Sequence, residues 1–285
     1  SSYQLADLEA SPSIAAVTNL TDEHLDWHGG GEQYRRDKLR LIGLAGPAPK
    51  VVNASDAELV ARVKDGPDIH WFGAGQGYHV RNDQLFNGSA LVGDIPRQHL
   101  SGPHNLANLA AALTIARLAG HPITDPSQAL QGFRGLPHRL QRLGTRAGVS
   151  YVNDSLSTTP VATVAALKAL RGERVILLAG GLDRGLDWHA QIPHIISQGP
   201  HAVICLPDNG PAVAEALANS GFSPAGGIQC ASGLEEAMAQ AQGLAGPGDT
   251  VLLSPGAPSF PHFRDFEDRG EQFAQLAGFD RMGRG

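Results

Sequence analysis

From residue 149 to the C-terminus, short apolar runs alternate with segments of helical spacing, and this alternation narrows the possible folds more than any other feature. Residues 149–153, 174–179, 202–206 and 250–253 read as strands, and residues 160–170, 211–218, 234–241 and 263–276 read as helices. Pro160 opens the first of these helices, where its missing N–H costs nothing. Strand–helix alternation over such a length is the pattern of a parallel sheet covered on both faces. Ahead of it the pattern is mixed. Residues 14–18 and 50–53 read as strands, 34–44 as a helix, and the Gly-, Asn- and Asp-rich stretch 68–95 as small antiparallel strands. Residues 105–119 form a helix with Leu106, Leu109, Ala110, Leu113 and Ala116 toward a core, stopped by Gly120 and Pro122. The change of pattern puts a boundary near Leu143. The fold class is therefore α/β in two parts, 1–143 and 144–285.

Composition removes several classes of function. The 285 residues are 42% hydrophobic and 18% charged, enough apolar material for two cores. Formal net charge is −6 without a basic face, which argues against a nucleic-acid binder. No apolar run reaches membrane-spanning length and no signal peptide is visible, so a cytoplasmic protein is expected. The two cysteines, Cys205 and Cys230, have no metal-type spacing and read as buried free thiols.

Ligands of open parallel sheets bind beyond the carboxyl ends of the strands, so the loops there are the expected places for chemistry. Thr18-Asn-Leu-Thr-Asp-Glu-His24-Leu-Asp26 packs amide, hydroxyl, acid and imidazole groups into one loop; Asx and Thr caps account for it equally well. Asn105 and Asn108 share one helix face and can read the edge of a purine, although Asn105 also suits a helix cap. Arg139, in Gly135-Leu-Pro-His138-Arg139, can clamp a phosphate or join an inter-domain ion pair. Asp154, directly after a strand, can accept from ribose hydroxyls or cap the next helix.

The order of these loops, together with Ser1-Ser-Tyr-Gln4-Leu, Leu252-Leu-Ser-Pro255 and Phe263-Arg-Asp-Phe266-Glu-Asp-Arg-Gly270, resembles the Mur ligase family over essentially the whole chain, and within it the glutamate-adding members. The resemblance implies a central ATP-binding domain, incomplete here, followed by a Rossmann-like C-terminal domain that brings glutamate. It implies an ATP- and Mg²⁺-dependent ligase of peptidoglycan precursor synthesis, joining glutamate to UDP-N-acetylmuramoyl-L-alanine through an acyl phosphate.

Residue by residue, the resemblance puts His24 and Lys38, the latter as a carbamate, at the magnesium ion. Asn105, Asn108, Arg139 and Asp154 take the ATP side, and His138 joins Lys38, His24 and Arg139 among the catalytic groups. Thr158, Arg184, Ser259, Phe260 and Phe266 match positions that hold glutamate. Ser1, Gln4 and Asn19 lie in segments on the uridine-nucleotide side. A lysine amine can capture carbon dioxide, which turns a cation into an oxygen ligand for a hard metal.

The sequence departs from the family pattern in two places. No Gly-x-x-x-x-Gly-Lys-Ser/Thr loop occurs in the chain; in the family it precedes the Ser1 segment. The chain therefore reads as the C-terminal portion of a longer protein, and by itself is expected not to turn over ATP. Asn153-Asp-Ser-Leu156-Ser-Thr158 has Leu156, and Gly180-Gly-Leu-Asp-Arg184 has Arg184, where D-glutamate-adding members carry lysines. Together with His24-Leu-Asp-Trp-His28-Gly, these stretches look more like the branch that adds L-glutamate and leaves inversion to an epimerase. A D-glutamate-adding ligase, a folylpolyglutamate synthase-like ligase and a non-catalytic nucleotide-binding module remain as alternatives.

Overall fold

The computed structural model describes residues 2–21, 25–95, 102–133 and 135–280. The chain divides into two compact units, Ser1–Phe133 and Arg134–Gly285. The sequence boundary near Leu143 falls inside a strand of the second unit, ten residues past the division.

In the first unit, α1 (Ser2–Asp7), β1 (Ala15–Val17), α2 (Leu25–His28), α3 (Gly31–Leu44), β2 (Lys50–Asn53), α4 (Ala57–Arg62) and β3 (Ile69–Phe72) come first. Then follow β4 (Tyr78–Arg81), β5 (Gln84–Asn87), β6 (Ala90–Asp94), α5 (Pro103–Leu118) and α6 (Pro126–Ala129). Strands β1, β2 and β3 form a parallel sheet in that order, while β4, β5 and β6 form an antiparallel one. The antiparallel reading of 68–95 thus holds from residue 78 onward, but 69–72 joins the parallel sheet instead. Adjacent side chains on β2 point to opposite faces. Val51 packs with Phe72 and with Ala110 and Leu113 of α5, and Val52 with Tyr34 of α3 and Leu59 of α4, all of them deeply buried. Lys50, at the head of β2, is buried too. Its ammonium donates to the carbonyls of Gly46 (2.5 Å) and Ala48 (3.2 Å) and pairs with Asp68, whose carboxyl it holds below the usual range.

The second unit runs β7 (Gln141–Arg146), β8 (Val149–Asn153), α7 (Pro160–Ala169), β9 (Arg174–Ala179), α8 (Ile192–Gln198), β10 (Ala202–Cys205), α9 (Gly210–Asn219), β11 (Ile228–Cys230), α10 (Leu234–Leu244), β12 (Asp249–Leu253) and α11 (Phe266–Leu276). Its six strands lie in the order β11-β10-β9-β12-β8-β7, all parallel except the edge strand β7, which runs antiparallel to β8. Both faces are covered, as the strand–helix alternation requires. On β9, Val175, Leu177 and Ala179 meet Val164 and Leu167 of α7, Ile195 of α8 and Leu217 of α9, whereas Ile176 and Leu178 meet Met238 of α10 and Phe273 of α11. Thr159 caps α7 by accepting from the Ala162 N–H at 3.3 Å, and Asp265 caps α11 by accepting from the Asp268 N–H at 2.7 Å. Cys205 is a buried free thiol, pushed up to about 12 by that burial. Cys230 differs from expectation: it is free but exposed, because β11 is the sheet's outer strand. Among the described residues no helix is long and apolar enough to cross a membrane.

Candidate functional site

In the first unit the candidate residues gather where β1 ends. The loop after Val17 is held by Asn53, whose amide donates to the Thr18 carbonyl at 2.9 Å, and by Asp56, which accepts from the Leu20 N–H at 2.8 Å. Beside this loop stands α3. Lys38 on that helix donates to Asn19 Oδ1 at 3.3 Å and to the Tyr34 hydroxyl at 2.8 Å, one turn back along the helix. Gln4 is exposed on α1, which Arg40 of α3 ties down by donating to the carbonyls of Leu5 and Ala6. Asn19 and Lys38, read separately from the sequence, are thus brought together. His24 and Ser1 lie outside the described residues.

Sequence reasoning did not single out the group beneath them. His28 is buried, and its Nδ1 donates to Asp37 Oδ2 at 2.6 Å, while Gln33 donates to the other oxygen of Asp37 at 2.6 Å. Tyr3, Trp27 and Tyr34 enclose the His28 ring, with centroids 5.9, 4.5 and 5.3 Å away. The signal available was His28 in the His24-Leu-Asp-Trp-His28-Gly stretch, and Asp37 directly before Lys38. Across the sheet, α5 starts at Pro103 with Gly102 as its cap, so Asn105 is not the capping residue. Asn105 is half-buried and Asn108 exposed. Both belong to the helix on the face opposite α3 and are not in the Lys38 cluster.

As a magnesium site, this cluster offers a neutral hard oxygen, Asn19 Oδ1, next to an amine. Among the described residues no group of three or more His, Cys, Asp and Glu side chains is placed to hold a metal. The donor set would suit a hard cation if Lys38 carried carbamate oxygens.

In the second unit, three neighbouring strands, β8, β12 and β9, end side by side, and their following loops carry most of the remaining candidates. Thr158 follows β8, Arg184 follows β9, and Ser259 and Phe260 follow β12. The helices after β9 and β12 pack on opposite faces of the sheet, so a crevice opens between these loops. A cavity of about 390 Å³ lies on the α10–α11 side of these strand ends, lined by residues that follow β9, β10, β11 and β12, among them Gly180, Leu206, Glu235, Ser259 and Arg269; of the five glutamate candidates Ser259 lines it, and Thr158, Arg184, Phe260 and Phe266 do not. The chain passes closely at its floor: a Cβ on Gly180 would lie 3.0 Å from the Leu206 carbonyl oxygen, and one on Gly181 2.9 Å from that of Pro258. Arg184 is exposed, Thr158 and Ser259 are half-buried, and Phe260 is 64% exposed, an unusual state for a phenyl ring.

Asp154 proves to be a buried hub. Oδ1 accepts from the Leu140 N–H at 2.9 Å, and Oδ2 accepts from the hydroxyls of Ser157 at 2.5 Å and Ser254 at 2.8 Å. Burial pushes its carboxyl above the usual range; the two serine hydroxyls and the Leu140 N–H offset that only in part. Asp154 thereby joins the segment after residue 138 to the ends of β8 and β12. His138 is buried against Phe266, ring centroids 5.9 Å apart at 79°, and Arg139 beside it is exposed. Two further groups were missed by sequence reasoning. Asn153 contacts both His138 and Gly270, and Arg269 is 1% exposed, its guanidinium donating to Ser155 and to the Ala257 carbonyl. A charged residue inside a helix gave no sign that it would turn inward.

Known proteins resemble the chain in both units. The Mur ligase middle domain matches residues 1–116, and the glutamate ligase domain of Mur ligases matches residues 138–256. A UDP-N-acetylmuramoyl-L-alanine–L-glutamate ligase of Xanthomonas oryzae pv. oryzae is 43% identical over 284 residues, covering 98% of this chain and 61% of that protein. A UDP-N-acetylmuramoylalanine–D-glutamate ligase of Rubrobacter xylanophilus is 37% identical over 288 residues, covering 100% of this chain and 64% of that protein. The crystal structure of the MurF ligase of Thermotoga maritima with ADP superimposes with a TM-score of 0.65 at 17% identity, over 94% of this chain and 62% of that one. This last likeness is one of fold. The chain spans about three-fifths of the length of the curated relatives it matches.

Proposed function

The chain belongs to the Mur ligase family, carrying its middle and glutamate-ligase domains, and from that membership we propose that it is part of an ATP-dependent ligase joining L-glutamate to UDP-N-acetylmuramoyl-L-alanine. The observation that supports this reading is the adjacency of the parallel strands β8, β12 and β9, whose following loops carry Thr158, Ser259 and Arg184 at one end of the sheet from distant parts of the sequence.

The reaction has two steps. The carboxylate of the muramoyl-alanine attacks the γ-phosphorus of ATP and ADP leaves, giving an acyl phosphate. The amine of glutamate then attacks the acyl carbon, loses a proton, and inorganic phosphate departs as the amide forms. Asn105 and Asn108 read the adenine edge. Arg139, exposed and free of the fold's own core, offers its planar fork to phosphate oxygens. Asp154 serves the nucleotide through the loop it holds, since both its oxygens already accept hydrogen bonds within the protein. Arg184 grips a glutamate carboxylate, with Ser259 and Thr158 supplying hydroxyls and Phe260 and Phe266 apolar walls. Gln4 and Asn19, with Ser1, serve the uridine-nucleotide side. Lys38 as a carbamate, with His24, would hold Mg²⁺, which offsets charge on the phosphoryl oxygens when bound.

The L-enantiomer is favoured by Leu156 and Arg184, and by the name carried by the more similar of the two relatives above. An epimerase acting on the product follows from that choice, and nucleotide-linked substrates of this kind put the reaction in the cytoplasm. The test is a competition between L- and D-glutamate in the full-length enzyme, read as ADP released and as product configuration. L-preference of about tenfold or more is expected. A D-preference rejects the enantiomer, and ADP release indifferent to glutamate rejects the ligase.

A further inference from the structure

The contacts around His138 determine which of its ring nitrogens carries the proton. The residue is fixed from several sides. Its backbone lies in the left-handed region at φ 59°, its N–H donates to Gln141 Oε1 at 2.8 Å, and its carbonyl accepts from the Leu156 N–H at 3.0 Å. Nδ1 of the ring lies 3.1 Å from Nδ2 of Asn153.

The Asn153 amide has only one workable orientation. Oδ1 accepts from the Ser155 N–H at 3.1 Å, and Nδ2 donates to the Gly270 carbonyl at 3.0 Å. Turned over, the amide would set oxygen against oxygen at Gly270 and hydrogen against hydrogen at Ser155. Nδ2 therefore carries two hydrogens, one given to Gly270 and the other directed at His138 Nδ1. Nδ1 must receive it with a lone pair, and a neutral imidazole then has its single hydrogen on Nε2. Among the described residues Nε2 has no hydrogen-bond partner.

We infer that Asn153 is a positioning residue that locks His138 as the Nε2–H tautomer, so that the ring presents one N–H donor to a ligand oxygen and has no lone pair there to act as a base. Under the ligase reading, on which this consequence rests, His138 holds a phosphoryl or acyl-phosphate oxygen, and the proton lost by the attacking amine goes to another group. The tautomer itself is independent of that reading.

The experiment is long-range ¹H–¹⁵N correlation NMR on this chain with labelled histidine, the His138 signals being assigned by their loss in His138→Gln. A single Nε2–H pattern is expected; an Nδ1–H pattern or an averaged one overturns the inference. Asn153→Asp replaces the donor with an acceptor and should move His138 to Nδ1–H. Asn153→Ala removes the donor and should give averaged signals, and it keeps the readout available where a buried carboxylate prevents folding. A pure Nε2–H pattern in either folded variant removes Asn153 from its role. In the full-length enzyme, His138→Gln puts an amide N–H near the Nε2 position and His138→Asn near the Nδ1 position. The Gln variant should keep about tenfold more kcat than the Asn variant. Equal loss in both, with the Nε2–H pattern intact, would reject the ligand contact and leave the tautomer standing.

Discussion

Arg269 holds Ser155 twice over: its Nε donates to the hydroxyl at 3.0 Å and its Nη2 to the carbonyl at 2.8 Å, across 114 residues of sequence. A third bond, from Nη1 to the Ala257 carbonyl at 3.0 Å, brings in the loop after β12. Burial pulls the guanidinium down to about 10, which leaves it charged at neutral pH, and that charge is spread over carbonyl and hydroxyl dipoles. Arg269→Ala should cost about 2–4 kcal/mol by urea unfolding, because it leaves these acceptors unmatched and opens a void. Arg269→Lys should recover less than half of that, since one ammonium cannot span three divergent acceptors. Full recovery by lysine would mean that only the charge matters.

Gly270 is the neighbour that lets the His138 ring lie where it does. A Cβ there would fall 2.2 Å from His138 Nδ1 and 2.8 Å from Asn153 Nδ2. Gly270→Ala should therefore destabilise the chain by about 1–3 kcal/mol through overpacking, although alanine is the better helix former. It should also shift the His138 ring resonances. A stabilised variant would show that the ring is free to move aside.

Asp154 makes a prediction with a definite sign. Its carboxyl is raised in the folded protein above its ordinary 3.8. The folded state then binds a proton more readily than the unfolded state, so Asp154's contribution is fully present below 3.8 and is lost as pH rises through the folded value. The stability advantage of the native chain over Asp154→Asn should shrink as pH rises from about 4 toward neutrality. Urea midpoints of both proteins across that range test this. A gap that widens with pH would mean that the ionised form is the one the hub prefers.

Lys38 is a test of the proposed site in the first unit. In the full-length enzyme, Lys38→Arg keeps the positive charge but cannot form a carbamate, and should lower kcat by about a hundredfold or more. Intact-mass measurement in bicarbonate, under conditions that preserve carbamates, should find one added carbon dioxide on the native protein and none on the variant. Retained activity in Lys38→Arg would show that the ammonium itself is what the site uses.

Legibility differed by element for identifiable reasons. β2 and β9 were readable to the residue because apolar runs of strand length are bounded by turns. β7 was missed because an outer antiparallel strand with Arg142, Thr145 and Arg146 has no apolar alternation to betray it. β11 has three residues, too few for any period, and α8 has only seven, with Pro193 and His194 breaking up its apolar pattern. β3 was grouped with the wrong sheet because the Gly-rich sequence around it looks the same whichever partner it takes. In the candidate site, motif order singles out Asp154, His138 and Lys38 as candidates, but not what they touch. Ser254 lies 100 residues from Asp154, and Gly270 lies 117 from Asn153. Such pairings are decided by sheet order, which a single sequence does not display.

The place of β12 between β8 and β9 has a consequence for synthesis. Until residues 249–253 have left the ribosome, the second unit can form only a β7–β8 ribbon and a separate β9–β10–β11 sheet, each with an open inner edge. Bare edges of this kind invite pairing with other nascent chains. A translation stop just short of β12 should accordingly yield sticky halves in search of a keystone, not a slightly smaller domain.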